Sequence, residues 1–88
     1  MLMYNQFAMS NTQIILLDAK PGDRIRILGL GSKDLTRQKL QQYGLFPGDT
    51  GEVLRIAPFD GPILLNVNGR EIALGKSVAA EILIEEMP

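Results

Sequence analysis

The stretch "QQYGLFPGDTGEVLRI", Gln41–Ile56, passes from one kind of structure to another without a linker. Its first residues are ordinary helix formers, and Gly44 ends the helix, because glycine enters the left-handed conformation at little cost. An apolar residue just past such a glycine folds back onto the last turn, and Leu45 fills that role. Pro47 then fixes the backbone, and "TGEVLRI" begins a strand. A helix running directly into a strand through an apolar corner, Leu45 to Pro47, is the feature around which the rest of the chain is read.

Downstream, "TGEVLRIAP" and "PILLNV" are apolar runs separated by the turn "PFDGP", and "REIAL" follows the dipeptide Asn68-Gly69. Asn-Gly between apolar runs is the strongest local hairpin signal, since both central residues of the mirror-image turn need positive φ. "GKSVAAEILIEE" reads as one helical turn near Val78 to Ala80, then a last strand from Glu81 to Glu85. Upstream, Arg24, Ile25, Arg26 and Ile27 alternate with the period of a half-buried strand. The turn at Lys20 to Asp23 precedes that strand, and a short apolar segment, Ile14 to Leu17, precedes the turn. Between strand and corner, Ser32 or Asp34 can cap a helix whose apolar residues Leu35, Leu40 and Tyr43 form a narrow buried stripe. The expected fold is mostly β: about five short antiparallel strands with one short inserted α-helix, a small barrel that closes its own edges. Residues 1–13 are read as a flexible tail and 14–88 as the barrel domain.

A chain of 88 residues is one domain, burying roughly 60 to 70% of its unfolded surface. It contains no Cys and no His, which removes disulfides, thiol nucleophiles, imidazole bases and almost every transition-metal site. Neither metal nor cofactor is expected. With 9 basic and 10 acidic residues the net charge is −1, so no global field draws nucleic acid or an anionic membrane surface. No apolar run approaches the roughly 20 residues that span a bilayer, and the first residues lack the pattern of an export signal, which points to the cytoplasm.

Motifs that suggest chemistry fail on inspection. "GKS", Gly75 to Ser77, ends like a phosphate-binding loop, but Arg70 stands where the first glycine of that motif belongs. "GLGSK", Gly29 to Lys33, lacks the third glycine of a dinucleotide fingerprint. The carboxylates are scattered through turns, with no pair placed for acid–base work. An enzyme is not expected; a binding module is. "PGDTGEVLRI" has the flavour of KOW-type strands in nucleic-acid-binding small barrels, yet aromatics make up only 6% of the chain and leave little for base stacking. Arg24, Arg26, Arg37 and Lys39 read as a solvated face. There remain Leu45, able to turn inward, Phe46 beside rigid Pro47, and Phe59 between two prolines. Phe46 and Phe59 either close the barrel ends or are presented to a partner.

From about Leu17 to Glu85 the chain resembles the FeoA family. The resemblance rests on "LLDAKPGDRIRIL", on the helix ending in "YGLFPGD", on "GEVLRIAPFDGPILLNVNGREIAL" and on the closing "VAAEILIE". It departs from the family at Tyr43, at Gly75-Lys76 and in the long N-terminal tail. The resemblance implies an SH3-like barrel and a non-catalytic accessory role in bacterial ferrous iron uptake. It also implies binding to the GTP-dependent transporter FeoB, through which the protein would sit at the inner membrane without inserting. Docking is expected at Leu45, Phe46, Pro47 and Phe59. A related barrel closes metalloregulators of the diphtheria-toxin-repressor type, so the other reading is a nucleic-acid-binding module or metalloregulator accessory domain. Self-association through the corner or the tail stays open.

Overall fold

The computed structural model of the chain describes residues 12–88. Strand β1 spans Thr12–Ile15 and passes into a 3₁₀ turn, Leu16–Asp18; β2 is Arg24–Gly29 and helix α1 is Asp34–Gln42. Then follow β3 (Thr50–Ile56), β4 (Ile63–Val67), β5 (Arg70–Leu74), the single helical turn α2 (Lys76–Ala79) and β6 (Leu83–Met87). All six strands join one antiparallel sheet in the order β1-β6-β2-β3-β4-β5.

Three expectations about the sheet change. There is one more strand than the pattern suggested, because Thr12 and Gln13 pair with Glu86 and Glu85. The sheet thus begins two residues inside the stretch read as tail, and the rest of that stretch lies outside the described residues. The last strand starts at Leu83, two residues late, since Glu81 still closes the turn after α2 through its N–H to the Val78 carbonyl. And the sheet is curled but open: among the described residues β1 and β5 are its edges, and no ladder joins them.

Alternation decides what is inside. Ile25 and Ile27 of β2, Val53 of β3, Ile63, Leu65 and Val67 of β4, Ile72 and Leu74 of β5 and Ile84 of β6 point to one face and are buried. Two register shifts, at Ile27/Gly29 of β2 and Val53/Arg55 of β3, each insert an extra residue. Such bulges sharpen the local twist, which lets six short strands wrap around one core. Leu40 of α1, Ala79 of α2, and Leu16, Leu45 and Ile82 from the connections close the open side.

The α1 stripe is narrower than the periodicity suggested. Only Leu40 enters the core; Leu35 is 80% exposed and Tyr43 42%. The helix also starts without a side-chain cap. Lys33 occupies the cap position, and Arg37 ties the first turn down instead, pairing with Asp34 and donating to the Gly31 carbonyl.

Candidate functional site

The corner after α1 is a Schellman motif. Gly44 has φ +87° and its N–H donates to the Gln41 carbonyl, while the Leu45 N–H donates to the Leu40 carbonyl at 3.0 Å. The accompanying apolar contact falls between residues that are both wholly buried, Leu40 and Leu45. Leu45, one of the residues expected to meet a partner, is therefore enclosed and available for no outside contact. Its place on the surface is taken by Phe46, 46% exposed, and by exposed Pro47. Asp49 locks the corner from below: its carboxylate accepts the Phe46 N–H at 2.9 Å, and its own N–H donates back to the Phe46 carbonyl. Gly48 and Asp49 then bond to Ile27, which fixes the corner to the end of β2.

Phe59 lies at the tip of the β3–β4 turn and is 99% exposed. Phe59 and Asp60 both have positive φ, 56° and 61°, and the Gly61 N–H closes the turn onto the Pro58 carbonyl. Left-handed backbone is costly for a phenylalanine, on the order of 1 to 3 kcal/mol. The turn is held from outside by an ion pair between Asp60 and Lys76, 3.1 Å. The structure does not bring Phe46 and Phe59 together. They flank opposite ends of β3, and seven residues at about 3.3 Å each put roughly 20 Å between them.

A third apolar surface went unread in the sequence. Between α1 and the edge strand β5 runs a groove of about 250 Å³, lined by Leu35, Tyr43, Ala73, Gly75 and Val78, with Lys39 at its rim. The groove continues past Tyr43 toward Arg70, whose guanidinium donates to the Tyr43 carbonyl at 2.8 Å and lies over Gly44. Leu35 and Tyr43 carried the signal, as apolar helix residues with no interior position to fill.

Four cations pair with carboxylates. Arg26 pairs across strands with Glu85 (2.9 Å), Lys33 with Glu81 (3.2 Å), Arg37 with Asp34, and Lys76 with Asp60. Of the four cations read as a solvated face, Arg24, Arg26, Arg37 and Lys39, two have anionic partners, Arg26 and Arg37. The Gly75-Lys76-Ser77 segment opens a helix of only one turn, with its lysine engaged by Asp60, and so has no phosphate-binding geometry. No group of three or more acidic, His or Cys side chains converges among the described residues.

One carboxylate pair does form. A hydrogen bond shared with Asp23, then partial burial and the Asp23 charge, raise the pKa of Glu86 above the ordinary glutamate value, with Lys20 opposing. Because the folded state holds this proton more tightly, the associated stability is complete below the ordinary glutamate pKa and is lost as pH rises through the raised one. Carboxyl-carbon NMR is expected to give Glu86 a midpoint above the ordinary glutamate value. Asp23→Asn, which keeps the acceptor for the Lys20 N–H, is expected to bring it down. A midpoint that ignores this substitution would exclude Asp23 as the cause.

Among the described residues no helix is long and apolar enough to cross a membrane. No curated protein matches the chain. Solved structures do. A crystal structure of the iron uptake regulatory protein FeoA is 33% identical, with a TM-score of 0.79, covering 86% of this chain and all of that one. The solution structure of the FeoA protein from Chlorobium tepidum is 29% identical, with a TM-score of 0.78, covering 85% of this chain and 71% of that one. A manganese-dependent transcriptional repressor shares the fold alone: identity is 16% and the TM-score 0.79, covering 92% of this chain and 45% of the repressor. The FeoA domain model matches residues 14–86. With the helix-to-strand corner, the Asn-Gly hairpin and all but the last residue of the closing strand inside that span, the chain belongs to the FeoA domain family.

Proposed function

We propose that this chain is a non-catalytic accessory protein of ferrous iron uptake that docks on the cytoplasmic GTPase region of a FeoB-type transporter. The observation that carries the reading is the family match over residues 14–86, with a solved iron uptake regulatory protein aligned along its whole length. The side-chain inventory supports it. A chain without His or Cys, four of whose nine basic groups pair with carboxylates, has little to act with except its surface. Phe46 on its locked corner and Phe59 on its strained turn are the aromatic anchors offered to the transporter, in the manner of interfaces that concentrate binding in a few residues. The protein works in the cytoplasm and is held at the inner membrane only through its partner.

Binding of the FeoB GTPase domain to the immobilised chain tests this. Phe46→Ala and Phe59→Ala are each expected to weaken binding about tenfold, the loss of roughly 1.4 kcal/mol of anchor contact. Equal binding by both variants and the wild type would remove the proposed anchors. Absence of binding by the wild type would remove the partner.

A further inference from the structure

Arg70 stands directly after the Asn68-Gly69 turn, and its guanidinium reaches across to the end of α1, where it donates to the Tyr43 carbonyl at 2.8 Å. The arm also lies against Gly44, at a place where a Cβ would collide with Nη2. A guanidinium has five N–H donors, and this bond uses one of them. No carboxylate of the described residues pairs with Arg70, whereas Arg26, Lys33, Arg37 and Lys76 each have one. Glu71 is the one anion lining the hollow around Arg70, and strand alternation sends its side chain to the opposite face of β5. Lys39, in the adjoining groove beyond Tyr43, adds a second positive charge to this flank without a carboxylate partner among the described residues.

The surface between Arg70 and the corner is continuous. Gln42 lines two hollows, one with Tyr43 and Arg70 and the other with Gln38, Gln41 and Phe46. The three glutamines, spaced three and four residues apart, share one side of α1 and carry no charge. From Phe46 to Arg70 the molecule thus presents an aromatic ring, uncharged amides and a cation already held in place. Ordering that side chain on binding costs little, and arginine beside an aromatic anchor is a composition in which binding energy concentrates. We infer that Phe46, Gln42 and Arg70 form one docking face, on which Arg70 receives a carboxylate that the partner carries beside the apolar pocket for the Phe46 ring. This rests on the docking to the GTPase region proposed above, and adds the chemistry that the partner's surface must have. Phe59, at the other end of β3, lies outside this face.

Arg70 is exposed, so replacing it leaves the core intact. Binding of the FeoB GTPase domain to the immobilised full chain is expected to weaken about tenfold in Arg70→Met, and by a further factor of about ten in Arg70→Glu, whose charge repels the partner's carboxylate. Neither replacement can donate to the Tyr43 carbonyl, so a corner that had merely loosened would bind equally poorly in both. Added salt is expected to weaken binding of the wild type more steeply than binding of Arg70→Met. Equal binding by Arg70→Met and Arg70→Glu, or wild-type binding by either, would overturn the carboxylate contact and leave the docking in place. No binding by the wild-type chain would remove the docking itself, and the contact with it.

Discussion

Gly51→Ala is expected to remove about 3 kcal/mol of folding stability, the upper end of what overpacking a tight site costs. In a domain of this size that lowers Tm by about 15 °C. Gly51 stands in β3 opposite Ile25 on one side and Val67 on the other, so the sheet closes over it from both neighbours. A Cβ there would lie 2.3 Å from the Asn66 carbonyl oxygen and 2.9 Å from Val67 Cγ2. The first of these is backbone, which no rotamer change can move. Relief requires β3 and β4 to part, at the cost of ladder bonds beside Val53 and Leu65, two wholly buried side chains. Gly75→Ala is the matched control. Its backbone is already extended (φ −64°, ψ 160°) and its Cβ would meet nothing within 4 Å. That substitution is expected to stay within about 1 kcal/mol of the wild type and to be slightly stabilising if anything. Thermal unfolding of the two variants decides the matter, and coincident melting curves would refute the close approach at Gly51.

The second large effect separates neighbours in the sequence. Leu45→Ala is expected to cost about 3 kcal/mol, within the range for truncating a leucine in a filled core, whereas Phe46→Ala is expected to cost less than about 1. Leu45 has no exposed surface, and its side chain closes the end of α1 as part of the core cluster that holds Leu40. Phe46 contributes its backbone N–H to Asp49 whatever its side chain, so the corner survives the loss of the ring. On the proposed docking, the order is expected to reverse for partner binding. At a temperature where both variants are folded, Leu45→Ala is expected to bind the GTPase domain nearly as the wild type does, and Phe46→Ala to bind it weakly. Urea unfolding supplies the first comparison and binding the second. Equal destabilisation by the two substitutions would show that the corner is not divided into an inward and an outward residue.

What could be read in advance was what depends on neighbours in the chain. Asn68 and Gly69 have φ of 54° and 80°, as a mirror-image hairpin turn requires. Gly44 and Leu45 form the helix cap their order suggested. The Lys20 to Asp23 turn closes through its own backbone and the Asp23 carboxylate. Features set by distant residues were not legible. Thr12 and Gln13 carry no strong strand signal and become a strand only because Glu85 and Glu86 of β6 offer a free edge. Leu35 has the spacing of a core residue but sits over the gap beside β5, which no local pattern reveals. Of the four expected contact residues, Phe46, Pro47 and Phe59 are exposed and Leu45 is interior. The separation of the two aromatics follows from the direction of β3, a property of the assembled sheet.

The position of β6 bears on how the molecule is made. This last strand lies between β1 and β2, bonding to both, so it is the seam between the beginning of the described chain and the rest of the sheet. While the chain is still emerging from the ribosome, β2 to β5 can pair in sequence order, but β1 has nothing to bond to and Ile25 and Ile27 lack the cover of Ile84. Pairing Thr12 with Glu86 closes a loop of more than 70 residues, the kind of late, non-local step that slows β-rich proteins. The fold is therefore completed only once β6 has emerged, and until then β2 keeps an unpaired edge.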